Sequence, residues 1–178
     1  FGVLGLAAVV ATQELAEGRL AEARSSFESL LGTGDPPQAV LEGLARIARL
    51  QGRSEAAERY YSRLLELYPG SLTALAQLVT LARERHDIPA AIQRARQLVQ
   101  WAPADGSSSR LLAEALLAQG DSLAAESEFR RGLIVAPRSG WLRLGLARFL
   151  AAEQRQREAA QELDHILADE GLPEDLLA

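Results

Sequence analysis

Residues 106–139 read GSSSRLLAEALLAQGDSLAAESEFRRGLIVAPRS, and the same 34-residue pattern recurs on both sides of this stretch. Pro69, Pro103 and Pro137 are spaced by that interval. So are Ala23, Ala57, Ala91, Ala125 and Ala159, an Ala in all five copies. Upstream in each copy stand Val10, Leu44, Leu78, Leu112 and Leu146, followed by the small residues Ala11, Ala45, Val79, Ala113 and Ala147. Four residues after each Ala comes Phe27, Tyr61, Ala95, Phe129 or Leu163. Gly18, Gly52 and Gly120 mark a common turn, where the other two copies carry His86 and Gln154.

Each column has a physical job. The Leu/Val column fills the space between paired helices, and the small residue beside it lets the partner helix approach. The recurring Ala does the same from the second helix, and the residue four places on lies on the same face. Pro ends the second helix because it has no N–H to donate. Ser71, Asp105 and Ser139 follow two residues later as N-caps of the next helix. Gly at the middle turn permits positive φ.

This arrangement resembles the tetratricopeptide repeat family, in its bacterial form, over nearly the whole chain. The register gives a single array over 1–178 with repeats at about 4–37, 38–71, 72–105, 106–139 and 140–173, each a helix–turn–helix. The resemblance implies an all-α helical solenoid, a right-handed superhelix of antiparallel helix pairs whose first helices line a concave face. Ten helices of roughly 13–15 residues are expected, each about 20 Å long. The departures are Asp35-Pro36-Pro37, slightly out of step, and Gly171 at the Pro position with Pro173 beyond. Ser109 and Arg143 replace the bulky residue expected near a repeat's start, and looser packing is expected there.

Composition narrows the function classes. The chain has 178 residues, 48% hydrophobic and 24% charged, with Ala, Leu, Glu and Arg dominant and no β-branched alternation of the kind strands show. The net charge of −5 argues against nucleic acid as a partner. Cys is absent, which excludes disulfides and thiolate metal sites without identifying a cytoplasmic or periplasmic address. The apolar run Phe1–Ala11 is too short to span a bilayer, so this segment is expected not to insert. Val9-Val10-Ala11 loosely suits a signal cleavage site, but the same residues fit the repeat. The chain has no initiator Met, and Pro173-Glu174-Asp175 reads as the first turn of another helix over 174–178. We therefore expect a fragment of a longer protein.

Reactive groups do not converge. His86 sits at a turn, and His165 follows Asp164 on a helix, where adjacent residues point apart. The cluster Ser107-Ser108-Ser109 lacks phosphate-loop spacing and its Lys, so capping is the better reading. The acidic residues have no calcium or zinc spacing. The expectation is a non-enzymatic chain with no cofactor or metal.

The resemblance also implies which residues face the concave side. These are Glu42, Arg46 and Arg49; Thr73, Gln77, Thr80, Arg83 and Glu84; Arg110 and Glu114; and Trp141, Leu144 and Arg148. Five Arg against three Glu give a locally positive surface on an acidic protein. Arg suits carboxylates and aromatic faces, which points to a partner protein or peptide of acidic character. The Arg and Glu can instead pair with one another. Trp141 reads either as an interface anchor or as packing against a neighbouring repeat. Family members that grip the carboxylate tails of heat-shock chaperones use Lys and Asn side chains. This sequence contains neither, which argues against that ligand.

The leading function is a protein–protein interaction scaffold in a larger assembly. A cell-envelope scaffold for polysaccharide export is an alternative, because Ser139-Gly140-Trp141-Leu142-Arg143-Leu144, with Leu146-Ala147-Arg148 after it, is similar to repeats of bacterial cellulose-export subunits. A non-catalytic repeat region of a larger enzyme, such as a glycosyltransferase, is the other.

Overall fold

The computed structural model describes residues 3–32 and 35–168. The expected start of a further helix at 174–178, and Gly171 with Pro173, lie outside the described residues. Ten helices form among the described residues: α1 (Val3–Ala16), α2 (Leu20–Ser29), α3 (Gln38–Leu50), α4 (Ser54–Leu67), α5 (Leu72–Glu84), α6 (Ile88–Trp101), α7 (Gly106–Gln119), α8 (Ser122–Val135), α9 (Gly140–Ala152) and α10 (Gln156–Ala168). The starts of α3, α5, α7 and α9 repeat the 34-residue interval. Helix α2 is shorter than expected, at 10 residues. Beyond it Gly32 takes φ 51°, a conformation that cannot continue a right-handed helix.

The turns between paired helices follow from one backbone geometry. Gly18, Gly52 and Gly120 adopt φ 77°, 69° and 88°, and His86 and Gln154 adopt φ 60° and 61° at the same phase. The two non-Gly residues therefore accept a conformation that L side chains disfavour. Ser71 and Ser139 receive hydrogen bonds from Ala74 N and Leu142 N, and Asp105 receives one from Ser107 N. Burial would raise the Asp105 pKa, but hydrogen bonds from Ser107 and Ser108 outweigh it and hold the carboxyl below its ordinary value. Asp87 and Asp121 cap α6 and α8 through Ala90 N and Ala124 N, although no cap was read there in the sequence.

The chain divides into two compact units, Phe1–Leu81 and Ala82–Ala178. In the first unit, Ala11, Leu15, Ala23, Phe27, Val40, Leu44 and Ile47 make one core cluster. Leu41, Ala45, Ala57, Tyr61, Leu64, Ala74 and Leu78 belong to another. In the second unit, Ala113, Phe129, Leu142, Leu146, Phe149, Leu150 and Ala159 form the core, with the Phe129 and Phe149 rings stacked 6.3 Å apart. The recurring Ala residues at 23, 57, 91 and 125 are fully buried, as close helix approach requires.

Packing is tight at the two positions where the sequence suggested looseness. Ser109 is buried, and a Cβ added to Gly132 of α8 would stand 2.6 Å from its Cβ. The small residue at 109 thus answers a second small residue on the facing helix. Arg143 donates to Glu162 at 2.7 Å and to the Pro137 carbonyl at 2.9 Å, which fixes the chain entering α9.

A cleft between first helices

In the second unit, the exposed faces of α7 and α9 meet the last turn of α5 over a cleft of about 490 Å³. Helix α9 supplies Trp141, Leu144, Gly145, Arg148, Phe149 and Ala152. The spacing i, i+3, i+4, i+7, i+8, i+11 is one continuous helix face. Helix α7 supplies Arg110, Glu114 and Leu117 by the same rule, and α5 supplies Arg83. Phe129 and Phe149, both buried, form an apolar floor. That floor is reached because residue 145 is Gly: a Cβ there would stand 2.7 Å from Phe129 Cε1.

The charged rim is uneven. Arg83 donates through Nη1 to Glu114 Oε2, and Arg110 through Nη1 to Glu114 Oε1, both at 2.5 Å. All three side chains are partly buried, so this cluster is shielded more than a surface pair. Arg148 is exposed, and it has no hydrogen-bond or ion-pair partner among the described residues. Trp141 is 42% exposed at the entrance to α9.

Six residues expected on the first-helix faces, Arg83, Arg110, Glu114, Trp141, Leu144 and Arg148, therefore line one cleft. Of the others, all but Glu84 lie in the first unit. Arg49 donates to Gln77 Oε1 at 2.8 Å across α3 and α5. Glu42 accepts from Gln38 at 2.9 Å. The Thr80 hydroxyl donates to the Ala76 carbonyl at 3.1 Å, within its own helix. Arg46 and Thr73 are exposed on α3 and α5, and Glu84 is exposed at the end of α5. Of the Arg set, Arg83 and Arg110 pair internally with Glu114, while Arg148 has no hydrogen-bond or ion-pair partner among the described residues.

Sequence reading missed Phe129, Gly145, Phe149, Leu117, Ala152 and Glu153 as cleft residues. One signal for them was present. Phe27 with Gly43 and Phe129 with Gly145 are large–small pairs at the same separation, and in both the ring fills the place a Cβ would take. His86 and His165 are exposed, and no group of His, Cys, Asp and Glu among the described residues has a metal-binding arrangement. No helix among the described residues is long and apolar enough to cross a membrane.

A family model described as "Tetratricopeptide repeat" matches residues 11–71 and 77–140. A curated relative, cellulose synthase 1 operon protein C of Komagataeibacter xylinus, is 27% identical over 91% of this chain. The chain spans only 13% of that relative's length. Among solved structures, MamA (41-end) from Desulfovibrio magneticus RS-1 superposes with a TM-score of 0.77 at 15% identity, covering 92% of this chain and 93% of that one. PilF of Pseudomonas aeruginosa superposes with a TM-score of 0.77 at 17% identity, covering 95% and 77%. At these identities the structural likeness speaks to the fold.

Proposed function

Because the chain belongs to the tetratricopeptide repeat family, whose members serve as protein-interaction scaffolds, we propose that it holds a partner protein segment of acidic character against the exposed faces of its first helices. The cleft carries this reading. An apolar floor, an exposed Trp and an unpaired Arg give a partner side chain both area to bury and a charge to meet. The remaining first-helix residues, Glu42, Arg46, Arg49, Gln77 and Thr80, make a candidate surface of their own in the first unit.

The test is affinity capture with the full-length protein followed by mass spectrometry, comparing wild type with Leu144→Glu and Arg148→Glu. We expect a defined set of captured proteins to be lost from both variants while circular dichroism is unchanged. Capture of the same set by wild type and variants would overturn the reading. Arg148 is a cleaner position than Arg83, whose reversal would also disturb Glu114.

A second reading is a cell-envelope scaffold for polysaccharide export. It is favoured by the relative whose name places it in a cellulose synthase operon. It concerns the assembly in which the scaffold works, and so it is compatible with the first. Co-purification with export or envelope components would support it, and capture of none of them from cells making the polysaccharide would count against it.

A further inference from the structure

We propose that Glu114 acts as a specificity filter in the second-unit cleft, restricting its ligand to a short segment with one apolar side chain and one neighbouring carboxylate, the latter read by Arg148. This rests on the cleft being the partner site, and adds what kind of segment it accepts.

Three observations carry it. First, the two inner guanidiniums are already engaged. Arg83 and Arg110 approach opposite oxygens of the one Glu114 carboxylate. A ligand carboxylate arriving there must displace Glu114 or face its negative charge, and either is unfavourable in a partly buried site. Second, Arg148 lies on the same wall of α9 as Leu144 and Trp141 and has no partner among the described residues. A carboxylate meeting Arg148 breaks no ion pair among the described residues. Third, the cleft is short. From Trp141 to Ala152, α9 rises about 16 Å at roughly 1.5 Å per residue, the reach of about five extended residues. An apolar side chain seated over Phe129, Gly145 and Phe149 leaves room for one flanking acidic residue at Arg148. Further acidic residues would run toward Glu114.

Glu114 thus stands where a polyacidic ligand would place its own carboxylates. Replacing Glu114 with Gln keeps the shape and the acceptor oxygen but removes the charge, releasing Arg83 and Arg110 for ligand carboxylates. The filter should open without loss of the fold.

The experiment uses three fluorescein-labelled hexapeptides, Ser-Gly-Phe-Asp-Gly-Ser, Ser-Gly-Phe-Asn-Gly-Ser and Asp-Asp-Phe-Asp-Gly-Ser, with amidated C-termini. Binding is read by anisotropy at low salt, where charge contacts are least screened. Wild type should bind the single-Asp peptide about tenfold tighter than its Asn counterpart, and bind the triple-Asp peptide no better than the single. Glu114→Gln should gain about tenfold for the triple-Asp peptide and change little for the single. Arg148→Ala should lose the Asp-over-Asn preference while retaining the fold by circular dichroism. A wild-type preference for the triple-Asp peptide, or a peptide ranking left unchanged by Glu114→Gln, would overturn the filter while leaving the cleft as a binding site. Binding of no peptide by wild type or by Glu114→Gln would remove the cleft reading and the filter together.

Discussion

Gly145 on α9 lies against the ring of Phe129 on α8, so close that a Cβ at residue 145 would stand 2.7 Å from Cε1. Gly43 relates to Phe27 in the same way, with the nearest ring atoms at 2.4 Å. Gly in a helix ordinarily weakens it by roughly 1 kcal/mol relative to Ala, so these glycines are retained for packing. We expect Gly43→Ala to lower stability by about 1–3 kcal/mol through overpacking, with Gly145→Ala smaller because fewer ring atoms crowd the site. Thermal melting of the single variants and of Phe27→Leu/Gly43→Ala checks this. The double variant should recover part of the loss, with a coupling of at least about 0.5 kcal/mol.

The left-handed turn residues offer a gain. His86 and Gln154 hold φ 60° and 61° on exposed turns. A left-handed L residue costs roughly 1–2 kcal/mol, and the greater unfolded-state freedom of Gly returns about 0.4–1 kcal/mol of that. His86→Gly and Gln154→Gly should each stabilise by about 0.5 kcal/mol, whereas Gly52→Ala and Gly120→Ala should destabilise by about 1 kcal/mol. Melting temperatures moving the other way would contradict the turn geometry.

Ala125 is fully buried where α8 meets its neighbours. Enlarging it to Leu should cost about 1–3 kcal/mol, or roughly 2–4 °C in melting temperature per kcal/mol for a chain of this size. An unchanged melt would mean that the helix register is wrong.

Acid sensitivity has a local source. Arg155 donates to Glu126 at 2.7 Å and, through two nitrogens, to both Glu158 oxygens at 2.7 Å. Hydrogen bonds from Arg155 hold both Glu side chains below their ordinary pKa of 4.5. A carboxylate whose pKa is lowered on folding adds stability above its unfolded pKa and loses it as pH falls through the folded value. Stability should therefore drop as pH falls below about 4.5. Arg155→Ala should flatten that drop by lowering neutral stability toward the acid value, and only modestly because the three side chains are no more than partly buried. Denaturant midpoints at several pH values measure both effects.

Much of the fold was legible because its controlling residues act locally. Proline after a helix, a left-handed turn residue and the caps Ser71, Asp105 and Ser139 each fix the backbone within a few positions. Asp87 and Asp121 do the same, and their phase just after the turn residue would have revealed them. What could not be read was packing set by two distant residues at once. Ser109 looked like a loss of bulk until Gly132 was found opposite it. The cleft followed the same division. The family resemblance placed Arg83, Arg110, Trp141 and Arg148 on first-helix faces, but which guanidinium Glu114 takes depends on long side chains from two helices. No single column of the repeat carries that information.

The Phe–Gly pairs also bear on how such a chain can be rearranged. The α1/α2 pair ends in Phe27 and is followed by α3 with Gly43; the α7/α8 pair carries Phe129 and is followed by α9 with Gly145. At one of the two intervening junctions, between α6 and α7, the sizes are reversed, with buried Ala95 on α6 and buried Leu111 on α7. These three junctions are keyed like dominoes, large set against small, so a pair joins well behind one whose end matches it. Shuffling by recombination would succeed between Phe-ended and Gly-started pairs and fail where Leu111 is set behind Phe27. Similar repeats in this chain are therefore not freely interchangeable parts.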